Sequence, residues 1–443
     1  MDLLIAFLIF AATMIGGLVA APNYGMLFAL AVGAVCFYAV ARHRGFQARD
    51  LFQMMFRGVK RSMIVLRIFL LIGLLTALWR ASGTITFFVY HGVRLIPSSL
   101  FLVAGFGLTS LLAYALGTSY GTTGTVGVIL ITLARAGGVP PALMAGAVLS
   151  GAYFGDRTGP ASSCANLVAT VTETKLYDNL SRMLKSSVVP MVACFALYGA
   201  LSPRYPLAAG EGGLIDLMAR NYDMSLWCAL PAVLMLILPL CKVPVRTAMT
   251  ASIAAAAGVG LWVQHQSVGQ LLSASLLGYV PADPQLAGIL SGGGLLSMVK
   301  VACIVALSST FSGIFDGTRM LEGLQEGLGR LADRLTVFGV MLLSSAGITA
   351  VFCNQTIGVM MAQQLLGPVY EKRGRSKEDV AIDIANSMVT LVGLCPWCIA
   401  CAVPLSMLGV GIEALPWAAF LYLLPVWWLA VRLWQERKKP VAK

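Results

Sequence analysis

Residues 151–167 read GAYFGDRTGPASSCANL. One carboxylate, Asp156, and one guanidinium, Arg157, stand there among glycines, a proline, two serines and an asparagine. A carboxylate removed from water favours its protonated form, and a cation beside it favours the ionised form. One such group takes a proton or a small cation in turn, which is the minimal chemistry of exchanging the two. Ser162, Ser163 and Asn166 add neutral oxygens. The run GTSYGTTGTVG at 117–127 adds four glycines and, besides Tyr120, five hydroxyl residues, Thr118, Ser119 and Thr122 among them. Such oxygens suit Na+, a hard cation, and equally hold a carboxylate or an amino acid. Both runs also have a purely structural reading: Asp156 pairs with Arg157, and Gly, Ser and Thr pack helices closely.

The chain that must position these groups is apolar. Of its 443 residues, 58% are hydrophobic and 11% charged, with a mean hydropathy of +0.83. Soluble domains carry about 25% charged residues, so too little polar surface exists here to face water. Runs such as Leu3–Ala21, Gly25–Ala41, Met63–Leu78, Leu226–Leu240 and Thr336–Phe352 can each cross a hydrocarbon core of about 30 Å as a helix. The expected fold is an all-α integral membrane protein with roughly 10–13 transmembrane helices. The runs do not alternate with period two, which argues against a barrel. The start, MDLLIAFLIF, has no basic residue before its apolar stretch and reads as a first helix rather than a cleaved signal.

The net charge of +12 has a pattern. Arg42, Arg44, Arg49, Arg57, Lys60, Arg61 and Arg67 flank one short connection, and Lys372, Arg373, Arg375 and Lys377 crowd another. Arg437, Lys438, Lys439 and Lys443 form the tail. Basic clusters between apolar spans mark cytoplasmic sides rather than a nucleic-acid surface, and they put both termini in the cytoplasm. Most of the ten cysteines lie in apolar runs as small packing groups. Cys395, Cys398 and Cys401 in CPWCIAC have a spacing that also suits a redox pair or soft metal, though without a thioredoxin-like context. The three histidines are scattered and make no ligand spacing. There is no phosphate-binding Gly-rich loop ending in Lys-Ser or Lys-Thr, and no nucleophile–base motif, so neither ATP-driven transport nor enzymatic catalysis is expected.

Irregular backbone survives in a membrane only where protein or a water-filled cavity surrounds it. Gly155, Gly159 and Pro160 predict a helix ending near Phe154, an unwound turn, and a new helix from about Pro160, proline being tolerated at a first helical position. Pro396 predicts the same event later. A shift of 236 residues brings Thr118 onto Asn354, Ser119 onto Gln355 and Pro160 onto Pro396, and Thr356 completes a polar counterpart to the first run. RASGT at 80–84 pairs less regularly with FSGIFDGT at 311–318. Between the paired segments, LARAGGVPP carries one charge, Arg135, whereas EKRGRSKED is dense in charge. By the positive-inside rule the two loops face opposite sides. Two inverted repeats with broken helices or re-entrant hairpins follow, the plan of secondary transporters with a site near the midplane.

An ionisable residue at membrane depth is a functional candidate by default. Asp316 and Asp383 join Asp156 on that basis. Asp316 has an ion pair with Arg319 as its structural alternative. Asp383 precedes Asn386 and Ser387 on one helical face, and Glu413 reads as interfacial. The organisation becomes 1–59, N-terminal helices and basic loop; 60–200, first transport repeat; 201–285, linking helices; 286–415, second transport repeat; and 416–443, C-terminal helix and tail.

At these residues the chain resembles the NhaC family of Na+/H+ antiporters. The resemblance spans about residues 60–415 and is most specific in GTSYGTTGTVGV and SGAYFGDRTGPASSCANL. The family pattern Gly-Asp-x-x-Ser-Pro-x-Ser-Asp-Thr-Thr-Asn is met at Gly155, Asp156, Pro160, Ser162 and Asn166. Gly159 replaces its Ser, Ser163 its second Asp, and Cys164 and Ala165 its Thr-Thr. The resemblance implies inverted repeats and exchange of Na+ (or Li+) for H+ through a buried carboxylate, with no cofactor beyond those ions. It also implies a bacterial-type plasma membrane and, by analogy, a homodimer. With the second acid absent, Asp316 or Asp383 takes its place or the coupling differs. A cation- or proton-coupled transporter of a small organic acid or amino acid is the alternative, and a channel or thiol sensor built on the three clustered cysteines a third reading.

Overall fold

In lipid, backbone N–H and C=O groups must be satisfied within their own segment, so apolar runs become helices. A computed structural model describes residues 2–20, 24–208, 214–241, 243–318 and 335–438. The described residues are helical apart from loops and one isolated bridge between Tyr279 and Gly292. The N-terminal part contains α1 (Asp2–Ala20), α2 (Gly25–His43), α3 (Ala48–Ala81) and α4 (Thr84–Leu95). The first repeat follows with α5 (Phe101–Leu116), α6 (Ser119–Thr122), α7 (Val128–Ala136), α8 (Pro141–Thr158) and α9 (Ser163–Val171). Next come α10 (Leu176–Leu201) and the linking helices α11 (Leu214–Asn221), α12 (Leu230–Leu240), α13 (Val245–Trp262), α14 (Val268–Leu277) and α15 (Pro284–Leu290). Helix α16 (Val299–Thr318) leads to the second repeat, α17 (Val337–Phe352), α18 (Gln355–Lys372), α19 (Lys377–Asn386), α20 (Met388–Leu391) and α21 (Ile399–Leu408), and α22 (Ala419–Lys438) ends the fold.

Among the described residues four helices are long and apolar enough to cross a membrane, namely Gly25–His43, Ser98–Leu116, Leu176–Arg204 and Leu295–Thr318. Two bent pairs bring the number to six: Leu66–Ala81 with Thr84–Gly92 at 63°, and Lys377–Leu394 with Ile399–Leu408 at 51°. Counting apolar runs gives 10–13 because several runs are cut by breaks or fold into helices of 10–17 residues. Arg319, Lys439 and Lys443 lie outside the described residues.

The 236-residue shift holds for the backbone itself. Helix α5 ends at Leu116 and α17 at Phe352. Gly117 and Cys353 follow in the left-handed conformation, at φ 64 and 53. Thr118 and Asn354 are then extended and cap α6 and α18. Gly138 and Gly374, both with positive φ, turn the loops before α8 and α19. Gly159 and Cys395 are extended, as are Ser162 and Cys398 three residues on, and α9 and α21 open immediately after. A left-handed residue commonly terminates a helix, usually as glycine. Gly117 has a second reason for lacking a side chain: a Cβ there would lie 2.5 Å from the carbonyl carbon of Ala161.

The glycines of the opening motif divide between two jobs. Helix α8 runs to Thr158, so it does not end near Phe154, and Gly155 is helical rather than a breaker. Gly151 and Gly155 lie four apart on the face that meets α5. A Cβ on Gly155 would come within 2.1 Å of the Ala113 carbonyl carbon, and one on Gly151 within 2.8 Å of the Ser110 nitrogen. Small residues at this spacing let membrane helices touch backbone to backbone. Only Gly159 belongs to the break. Pro160 sits inside the turn, two residues before the Ser162 cap.

Candidate functional site

Asp156 lies on the last turn of α8 and is 5% exposed. Its position lets one side chain face two helix starts. Ser119, first residue of α6, donates its hydroxyl to Asp156 Oδ2 at 3.2 Å. Ser162, the cap of α9, donates to the Asp156 backbone carbonyl and, at 3.4 Å, to Oδ1. The same Ser162 oxygen accepts the N–H groups of Cys164 and Ala165 at 3.1 and 3.2 Å. Beyond Ser119, the Thr123–Gly127 segment is a π-helical turn, a distortion that recurs at functional sites.

The second repeat closes the site. Gln355, first residue of α18, reaches the Asp156 carboxylate and donates to Cys164 Sγ at 3.2 Å. Reciprocally, Thr123 donates to Met407 Sδ of α21 at 3.3 Å. Tyr153, one turn before Asp156, donates its hydroxyl to Ala400 O at the start of α21, at 2.5 Å. Gly393 leaves room for that ring, since a Cβ there would lie 2.7 Å from it. Tyr120 is half-buried near Asp156, Cys164 and Cys401. Sequence reasoning passed over both tyrosines. Tyr153 was legible as the residue one helical turn from the carboxylate.

Arg157 does not pair with Asp156. Its Nε donates to Ala385 O at 3.0 Å, and Nη1 donates to Met183 O at 3.0 Å and Ser187 Oγ at 2.6 Å. Nη2 donates to Ser186 Oγ at 2.7 Å and to Asn386 Oδ1. The guanidinium thus ties α8 to α10 and to the end of α19. Among the described residues no Lys or Arg forms an ion pair with Asp156. Its counterpart in the second repeat is Val392, so the paired breaks contain one carboxylate.

The remaining candidates fall into three groups. Thr118 and Asn354 are caps, accepting the N–H groups of Gly121 and of Thr356 and Ile357, and Thr122 donates to Thr118 O at 2.9 Å. Ser163, Asn166 and Thr356 are exposed, each within one helical turn of a residue that meets Asp156, and Asn166 donates to Ser162 O at 2.7 Å. Pro396 sits in the second break, between Cys395 and Cys398. Asp316 and Asp383 are elsewhere. Asp316 is exposed near the C-terminal end of α16. Asp383 is buried and takes hydrogen bonds from Tyr370 (2.8 Å), Trp428 (2.6 Å) and Arg432 (2.8 and 3.0 Å), an ion pair locking α18, α19 and α22. Neither shares the Asp156 site. Breaking a buried pair from one side costs about 3–5 kcal/mol. Asp383→Asn should therefore lower the thermal unfolding midpoint of the detergent-purified protein clearly, and a midpoint equal to wild type would show that the pair does not hold the helices.

The clustered thiols are free. Cys395, Cys398 and Cys401 are buried, and Cys398 donates to Thr349 O at 3.1 Å. Among the described residues no three His, Cys, Asp or Glu side chains are placed to hold a metal ion. Glu173, outside the spans, is held below the usual carboxylate range by Lys377, the first residue of α19, and the pair ties the loop after α9 to that helix.

The model of the Na+/H+ antiporter family matches residues 2–165 and 151–434. The chain is 25% identical over 411 residues to Na(+)/H(+) antiporter NhaC of Alkalihalophilus pseudofirmus, covering 91% of this chain and 88% of that one. It is 24% identical over 368 residues to the malate-2H(+)/Na(+)-lactate antiporter of Bacillus subtilis, with 80% and 77% covered. To the arginine/ornithine antiporter ArcD of Halobacterium salinarum it is 27% identical over 326 residues, with 69% and 66% covered.

Proposed function

Because the chain belongs to the Na+/H+ antiporter family, we propose that it exchanges Na+ for protons across a membrane through the one carboxylate of Asp156. It is a multi-pass membrane transporter and not an enzyme. The observation that carries the site assignment is a buried carboxylate with hydroxyl donors and, among the described residues, no cationic partner, held where two helix starts meet. A buried ionised acid left unpaired is costly. It is relieved by taking a proton or by coordinating a small cation, and the two exclude each other at one pair of oxygens. The hydroxyls of Ser119 and Ser162 can turn their lone pairs to a sodium ion or their hydrogens to the carboxylate.

Inversion of the two repeats is part of this reading. The loops at 137–140 and 373–376 occupy equivalent places. Arg135 stands alone beside the first, while Lys372, Arg373, Arg375 and Lys377 surround the second. That contrast supports opposite faces and a cytoplasmic location for the second loop and both termini.

The test is a proteoliposome loaded with a pH-sensitive dye. Adding Na+ or Li+ outside a vesicle of acidic lumen should drive protons out, and K+ should not. Absence of proton movement across pH 6–9 at any sodium concentration would end the proposal.

A further inference from the structure

A cavity of about 420 Å³ opens between α3, the end of α7, the start of α16 and α21. Sites for small molecules typically measure about 300–1,000 Å³. Its charged lining is of one sign: Arg80, Arg135 and Lys300 face it, and no Asp or Glu among the described residues lines it. Arg80 is 5% exposed. Its Nη1 donates to Thr76 O at 2.7 Å, while its buried Nε has no hydrogen-bond partner. Arg135 gives one nitrogen to Leu408 O at 3.2 Å and Gly409 O at 2.6 Å, and lies close enough to Arg80 for the two charges to act on each other. Glu413, just past the rim, gives its carboxylate to the Gly411 N–H at 2.8 Å.

A glycine loop lies against the buried guanidinium. Gly292, Gly293 and Gly294 take φ values of 132, 77 and 84. The Gly294 N–H donates to Gly73 O at 2.9 Å, and a Cβ on Gly293 would fall 2.5 Å from the Ala77 nitrogen, so this loop lies flat on α3 one turn before Arg80. A Cβ on Gly292 would stand 3.8 Å from the Arg80 guanidinium carbon. Two like charges and an orphaned N–H around one cavity are unfavourable without an anion between them.

We propose that this cavity binds a small carboxylate anion between Arg80 and Arg135. The planar guanidinium fork matches a carboxylate in two-point contact. The volume far exceeds that of a chloride or phosphate ion. Met298, Val301, Ile304 and Leu405 give the rest of the wall an apolar character that suits a carbon skeleton, while the Ser291 and Ser406 side chains can take its polar substituents. Pro396 of the second break is part of the same wall, which sets the ligand against the transport core. This inference does not rest on the exchange assigned to Asp156.

The test titrates the purified full-length protein with succinate, propionate, phosphate and chloride at fixed pH and sodium, reading binding calorimetrically. At least one carboxylate should bind, and Arg80→Gln should weaken it about ten-fold or more, with Arg80→Lys keeping part of the affinity. Lys300→Glu, at an exposed position that leaves the packing alone, should weaken it too. No carboxylate binding, binding of phosphate or chloride alone, or unchanged affinity in a folded Arg80→Gln protein would overturn the proposal. Proton flux by the same preparations is read separately, so failure of either idea leaves the other measurable.

Discussion

Asp156→Asn should abolish sodium-driven proton flux in proteoliposomes, by at least about a hundred-fold, because asparagine keeps the shape and offers no group that titrates. Ser119 and Ser162 donate to different carboxylate oxygens, at 3.2 and 3.4 Å, so the amide oxygen keeps one of these bonds and the other hydroxyl rotates to accept from the amide NH2. Replacing a buried charge by a neutral amide also removes a desolvation penalty. The variant should therefore purify as wild type does, with an unfolding temperature equal or higher. Sodium should no longer raise that temperature, whereas it should in wild type, since a ligand that binds only the folded state stabilises it. Normal exchange by the variant would reduce Asp156 to a structural residue.

Arg157→Ala should do the reverse and damage the scaffold. The arginine reaches five acceptors on α10 and α19. Truncation leaves a cavity and frees the Ala385 carbonyl and the Asn386 side chain in a buried place. Large-to-alanine changes alone cost about 3–5 kcal/mol, and each stranded polar group adds about 1–3 kcal/mol. A strong drop in monodisperse yield and in unfolding temperature is expected. Arg157→Lys should lie between, because an ammonium keeps the charge and has only three donors. A stable Arg157→Ala protein that has lost only exchange would move Arg157 from the scaffold into the transport chemistry.

These two adjacent residues illustrate what a sequence discloses. The 236-residue spacing was readable from Thr118 and Asn354, Ser119 and Gln355, and Pro160 and Pro396, because polar and proline breakers are rare in an apolar chain. The further pairs Gly117 with Cys353 and Ser162 with Cys398 share backbone conformation and not residue type, so they needed the structure. Asp156 stood out because a charge in an apolar chain is rare. The fate of Arg157 was not readable, since its partners lie 26 to 229 residues away and only the packed bundle brings them close. Asp383 resembled a transport residue for the same reason that it is buried, and its partner Arg432 is 49 positions on. Gly155 misled because glycine both breaks helices and lets them touch. A run of glycines four apart, Gly151, Gly155 and Gly159, carried the second meaning at its first two positions and the first meaning only at its last.

The helix ends and turns of the two halves fall at the same 236-residue spacing, yet Val392 occupies in one half the position that Asp156 holds in the other. In the exchange proposed for Asp156, one carboxylate would trade one proton for one sodium ion, and a cycle built on it alone would be electroneutral. Membrane voltage then does no work on the turnover, and the direction of flow follows from the two concentration ratios alone.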